Sequence, residues 1–251
     1  MDALEKYLFD LQGFITVPNA VPTDQLAALN AILDEQIEAK CEPDMRTHRF
    51  SENLPWGKPY TDLIDNPRVT PYLDAIIGEE KWRLDHVYLD LIRAGKGPIG
   101  TRLHGGGSPF RSSQYYRFED GEMRNGLSVV AYNLADVGPM DGGFGCVPGS
   151  HKSNYAFPND WREMEELSPI VQRITGPAGT AIIFTEALTH GTLPWTADHE
   201  RRTLFLKYSP HSTSWSAHYY DADDFEGLTE RQRAILEPPN DRYDYRFEHT
   251  G

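Results

Sequence analysis

Two histidines stand next to glycines at the ends of strand-like segments. His104 opens the run Gly105-Gly106-Gly107, and His190, directly before Gly191, follows an apolar segment that ends at Phe184. Consecutive glycines permit unusual backbone angles and the close approach of a ligand. Strand ends at the mouth of a barrel can bring imidazoles from distant parts of a chain to one metal ion. We therefore take His104 and His190 as candidate metal ligands.

A third candidate, Arg201, follows eleven residues after His190 at the start of another strand-like segment. Alternate residues of a strand point to the same face. We therefore expect Arg201, Thr203 and Phe205 to share one face of this strand, and Arg202 to lie on the other.

Short β-rich segments must position these side chains. Runs of strand-forming residues cover 87–92, 127–132, 180–184 and 203–208, and a short one covers 13–17. Glycine-containing turns such as Asp120-Gly121 separate several of them. Helical patterns cover 23–40, with Thr23 as the expected N-cap, 70–77 and 228–236. The sequence thus predicts a mainly β fold, a barrel or jelly roll with flanking α-helices.

Length and composition limit the possible functions. The chain has 251 residues and a formal net charge of −14, which disfavours nucleic acid and anionic membranes as partners. Two cysteines are too few for a disulfide scaffold, and neither a spanning segment nor a secretion signal is recognisable. We expect one domain over 1–251, with an N-terminal helical buttress and a C-terminal extension, in the cytoplasm; the oligomeric state stays open.

An ordered set of motifs resembles a known family. The set comprises Gly13-Phe14 with the following helix, Pro148-Gly149-Ser150-His151, His190-Gly191, and Arg201. In this order they resemble the phytanoyl-CoA dioxygenase-like branch of the Fe(II)/2-oxoglutarate-dependent oxygenases. The resemblance implies a double-stranded β-helix, a cupin-like jelly roll, that acts on a small molecule with Fe(II), 2-oxoglutarate and O₂.

The resemblance also implies roles for individual residues. The family's metal site is His-x-Asp/Glu followed by a distal histidine, which places His104 and His190 on the metal. Arg201 would bind the far carboxylate of 2-oxoglutarate with its planar guanidinium. Thr192 is a candidate assistant to Arg201, and Tyr132 is a candidate residue of the co-substrate pocket. His151 is expected to stabilise a loop rather than bind metal.

The sequence departs from the family motif at Gly106, which stands where the carboxylate ligand should be. One explanation is a halogenase-like site, in which chloride takes the free position on iron, and we favour it narrowly. A second is a hydroxylase whose shell is completed by water or by an acid from elsewhere, such as Asp85, Asp90 or Asp141. A third is a non-catalytic barrel that binds a ligand or partner. A zinc hydrolase would need three protein ligands and is weaker still.

Overall fold

The computed structural model describes residues 1–95, 102–163 and 168–240, and the end of the predicted C-terminal extension, 241–251, lies outside them. Within these ranges the chain forms antiparallel strands in two sheets and one separate hairpin. The strands are β1 (Phe14–Val17), β2 (Thr47–Phe50), β3 (Trp82–Ile92), β4 (Tyr116–Glu119), β5 (Glu122–Asn125), β6 (Ser128–Asn133), β7 (Gly143–Val147), β8 (Gln172–Arg173), β9 (Ala181–Thr185), β10 (Thr189–Leu193) and β11 (Arg201–Pro210).

The larger sheet has the strand order β1-β9-β6-β11-β3-β2, and the smaller sheet has the order β10-β7-β8. Strands β4 and β5 pair with each other through the turn at Asp120-Gly121, whose residues both have positive φ. Every strand predicted from the sequence is present in the described chain, and the mainly β fold class is confirmed.

Helices flank the larger sheet. They are α1 (Ala3–Gln12), α2 (Thr23–Lys40), α3 (Lys58–Thr61), α4 (Thr70–Ile76) and α5 (Glu230–Ile235). Helix α1 starts with a capping box between Asp2 and Glu5, which the sequence analysis did not predict. Thr23 is the first residue of α2 and not its N-cap, because Pro22 occupies the cap without a side-chain hydrogen bond.

Two cores lie on opposite faces of the larger sheet. In β6, Val129 and Ala131 pack with Phe144 and Cys146 of the smaller sheet, whereas Val130 and Tyr132 pack in the helix-side core. This alternation follows from the two-residue period of a strand. The face that carries Val129 and Ala131 lies between the sheets, on the same side as the candidate site.

Within 1–95, 102–163 and 168–240, the helices fall short of the length and apolarity needed to cross a lipid bilayer.

Candidate metal centre

A backbone bridge brings the two candidate histidines together. The His104 N–H donates to the His190 carbonyl at 2.8 Å, and the His190 N–H donates to the His104 carbonyl at 2.9 Å. Their ring centroids are 4.2 Å apart. The bridge therefore places both imidazoles at one point of the fold, although one lies in a loop and the other in β10.

The surroundings of His190 suit a metal ligand. Its Nδ1 lies 2.7 Å from the Leu188 carbonyl, which leaves Nε2 for a cation and fixes the orientation of the ring. Burial, with a smaller contribution from the neighbouring His104, lowers the pKa of His190 to about 3. The imidazole is therefore neutral at physiological pH, as coordination requires.

A buried carboxylate completes the cluster. Glu186 lies in the tight turn between β9 and β10 and is 4% exposed. One ligand atom from each of His104, Glu186 and His190 lies within 4.8 Å of the other two. Burial raises the pKa of Glu186, but Lys207 and His190 outweigh it and hold that pKa at about 2. The site thus offers two imidazoles, of which that of His190 is neutral, and one ionised carboxylate, the donor set of a non-haem Fe(II) centre.

The glycines after His104 are required by the backbone. Gly106 has φ +111°, which side-chain-bearing residues rarely adopt, and a Cβ there would lie 3.2 Å from Thr189 Oγ1. A Cβ on Gly105 would lie 2.3 Å from the Leu188 carbonyl oxygen, and one on Gly107 would lie 2.3 Å from that of His151. The glycine run therefore allows the His104 loop to pack directly against the β10 segment.

The Pro-Gly-Ser-His motif at 148–151 links the segments that carry His104 and His190 to helix α1. Ser150 Oγ accepts the Thr189 N–H at 2.7 Å, and the Ser150 carbonyl accepts the Gly107 N–H at 3.1 Å. His151 Nε2 lies 3.0 Å from the carbonyl of Asp10 in α1. His151 thus stabilises the loop, and Ser150 holds the His104 loop and strand β10 next to each other.

Arg201 also lies at this site, and part of its guanidinium is available to bind a ligand. It is 2% exposed, and its Nε and Nη1 have no hydrogen-bond partner among the residues that the structure describes. Burial lowers the pKa of Arg201, which Asp90 and Tyr88 partly counteract. An unpaired buried guanidinium is costly and favours an anionic ligand. The far carboxylate of 2-oxoglutarate matches its planar geometry.

A cavity of about 630 Å³ lies beside His104, His190 and Arg201, and Glu186 lines a separate pocket that shares His104 with it. The inner part of the first cavity is lined by the buried residues His190, Arg201, Phe144, Phe184 and Phe205, and the exposed His104 also borders the cavity. Its outer part is polar and aromatic, and there the His86 ring stacks on Trp215 at 4.8 Å between centroids. The volume is in the range of small-molecule sites.

The phytanoyl-CoA dioxygenase family model, PhyH, matches residues 9–203, which include all three members of the metal cluster. The chain belongs to the phytanoyl-CoA dioxygenase family. It is therefore an enzyme of the Fe(II)/2-oxoglutarate-dependent oxygenase class, with iron, 2-oxoglutarate and O₂ as its co-reactants, and its donor set and unpaired Arg201 fit that chemistry.

Solved structures show the same fold. HygX from Streptomyces hygroscopicus, solved with nickel and 2-oxoglutarate bound, is 22% identical, with a TM-score of 0.73 over 91% of this chain and 95% of HygX. The epimerase SnoN, solved with Fe³⁺, alpha ketoglutarate and nogalamycin RO, is 16% identical, with a TM-score of 0.59 over 83% of each chain. These likenesses confirm the predicted jelly roll. No curated protein matches the sequence.

The two residues predicted for the co-substrate pocket, Thr192 and Tyr132, differ in where the structure places them. Thr192 lines the same cavity as Arg201 and stays a candidate. Tyr132 lies on the helix-side face of β6, fully buried, with its hydroxyl 3.3 Å from Asn66 Nδ2. Its position in the strand directs it away from the candidate metal centre and outside the cavity lining, so the structure corrects its assignment to the co-substrate pocket.

Each aspartate that the sequence offered as the missing carboxylate ligand forms an ion pair or hydrogen bonds elsewhere. Asp90 forms a bidentate ion pair with Arg49, with both distances 2.7 Å, and Asp141 accepts the Gly138 N–H at 2.7 Å. Asp85 accepts the N–H groups of Trp215 and Ser216 at 2.9 and 3.0 Å. Glu186 was not among the residues predicted from the sequence, although it directly follows a buried strand and stands four residues before His190.

Gly105→Ala tests the packing of the two histidine segments. Its Cβ would overlap the Leu188 carbonyl, so we expect loss of folded protein or a loss of unfolding free energy well beyond that of Gly121→Ala. Gly121 is the matched control, because its φ of +81° is similar but nothing lies within 4 Å of its Cβ. The control should cost about 1–2 kcal/mol. Equal losses in chemical denaturation would contradict the packing argument.

Asp85→Asn tests whether the Asp85 carboxylate fixes the loop at Trp215 and Ser216, which lines the cavity. We expect the amide hydrogens of Trp215 and Ser216 to exchange with solvent at least about 10-fold faster, because hydrogen bonds to a charged group contribute roughly 1.5–3 kcal/mol. Asp90→Asn is the control, since Asp90 is also buried on β3 but binds Arg49 instead. Unchanged exchange at both amides in Asp85→Asn would show that another contact holds this loop.

Proposed function

We propose that this enzyme hydroxylates a C–H bond of a small molecule, with iron held by His104, Glu186 and His190. The observation that carries the proposal is the approach of the three ligand atoms to within 4.8 Å of one another. Two imidazoles and a carboxylate form the facial set typical of Fe(II) oxygenases, in which the remaining positions stay open to the co-substrates.

The halogenase-like alternative depends on iron without a carboxylate ligand. Gly106 suggested such a site, but its positive φ gives the glycine a backbone reason that is independent of chloride. Glu186 supplies an ionised carboxylate at the same cluster. With Glu186 as the third protein ligand, the position that the halogenase-like alternative assigns to chloride is already filled. These observations support the hydroxylase alternative.

The proposed roles follow from the contacts. Iron with 2-oxoglutarate and O₂ supplies the oxidant for the C–H bond, while 2-oxoglutarate is converted to succinate and CO₂. Arg201 binds the far carboxylate of 2-oxoglutarate with its unpaired Nε and Nη1. Phe144, Phe184 and Phe205 exclude water from the inner cavity. Leu188 keeps the His190 ring in place through Nδ1.

The substrate is proposed to enter through the outer cavity, between the His86–Trp215 stack and Arg49. An aromatic and polar wall suits a ringed, polar small molecule. HygX has been solved with hygromycin B, and SnoN with nogalamycin RO, which agrees with a small-molecule substrate for this fold.

Glu186→Gln tests the metal shell. We expect Fe(II) affinity, measured by anaerobic titration, to fall more than about 10-fold, because even outer-shell changes at metal sites cost roughly 10- to 100-fold. Glu226→Gln, which changes an exposed acid, is the control. Unchanged Fe(II) affinity in Glu186→Gln, together with chloride-dependent tightening of 2-oxoglutarate binding in the wild type, would favour the halogenase instead.

Arg201→Met tests co-substrate binding. We expect the dissociation constant of 2-oxoglutarate to rise about 10- to 100-fold, because a hydrogen bond between charged groups contributes roughly 1.5–3 kcal/mol. Fe(II) affinity should be retained. Arg202→Met is the control on the opposite face of β11, where Arg202 binds Glu200 and Asp34. Equal 2-oxoglutarate binding by both variants would contradict the assignment.

A further inference from the structure

A buried lysine faces the proposed iron site. Lys207 lies on β11, on the same face as Arg201 and Phe205, and lines the inner cavity. Its side chain is 13% exposed, and that of Glu186 is 5% exposed. Its Nζ also lies 5.4 Å from the centroid of the Tyr88 ring. Burial of a lysine is costly without a partner, so this position needs a specific reason.

The partner of Lys207 is the proposed carboxylate ligand. Lys207 Nζ donates a hydrogen bond to Glu186 Oε1. The two form an ion pair next to His104 and His190. Because a carboxylate has two oxygens, this contact occupies one of them and leaves Oε2 for a cation.

The number of oxygens that Glu186 offers matters for the proposed reaction. A facial set leaves room for a chelating co-substrate only when its carboxylate binds through one oxygen. A carboxylate that binds through both oxygens occupies one more coordination position on the metal. Calcium sites show that proteins use both modes, so the choice must be imposed by the surroundings.

We propose that Lys207 is a positioning residue that restrains Glu186 to bind iron through a single oxygen and so keeps the position that 2-oxoglutarate needs. This inference rests on the proposed function, because it takes Glu186 as the ligand. Removal of Lys207 would free Oε1 to turn toward the metal. Iron would still bind, but 2-oxoglutarate would compete with the second oxygen.

The test separates iron binding from co-substrate binding. For wild type, Lys207→Met, Lys207→Gln and Lys207→Arg, anaerobic titration first measures Fe(II) affinity. Titration with 2-oxoglutarate then follows the charge-transfer band of the chelate. Lys207→Met should bind 2-oxoglutarate at least about 10-fold more weakly and lose band intensity per bound iron, because it lacks the charged donor. Lys207→Gln should show a smaller loss, and Lys207→Arg should restore most of the band.

The control is Lys152→Met, which removes a lysine paired with Asp10 at 3.0 Å on the surface. It should match the wild type in both titrations. If Lys207→Met does not fold, Lys207→Gln decides the question. A lower melting temperature with unchanged 2-oxoglutarate affinity and band would overturn the positioning role and leave the iron site intact. A wild-type protein that forms no band would overturn the proposed function together with this inference.

Discussion

The pair of backbone hydrogen bonds between His104 and His190 is the constraint on which the site depends. The bonds join a glycine-rich loop to the edge of the smaller sheet, and side chains from both then face one point. Ser150 reinforces the bridge by accepting the Thr189 N–H and, through its carbonyl, the Gly107 N–H. The family's Pro-Gly-Ser-His motif therefore has a physical task here, which is to fix the histidine segments relative to each other.

The same bridge explains how the carboxylate of Glu186 reaches the two histidines, although it lies outside the His-x-Asp/Glu position at 104–106. The His104 loop packs so closely on the turn before β10 that a Cβ on Gly105 would lie 2.9 Å from the Glu186 carbonyl oxygen. That turn carries Glu186 to the imidazoles, while Lys207 pairs with it from β11. The glycine at 106 and the acid at 186 thus belong to one local arrangement.

The sequence predicted the fold well, because alternating apolar residues and turn glycines report directly on strands. It also indicated His104, His190 and Arg201 as candidates, since each stands next to a strand-like segment and matches an ordered family pattern, and the structure brings all three to one cavity. Tyr132 was misassigned because its burial is equally compatible with either face of β6, and only the sheet register decides which. Glu186 was missed because its approach to His104 depends on a tight turn and a long-range backbone bridge, neither of which has a fixed spacing in sequence.

A crystal structure of the wild-type enzyme with Mn(II) in place of iron, 2-oxoglutarate and chloride tests the central claim most directly. We expect the metal to be bonded to His104, His190 and an oxygen of Glu186, with the far carboxylate of 2-oxoglutarate on Arg201. A metal held by the two histidines alone, with chloride or water in the third protein position and Glu186 turned away, would contradict the account.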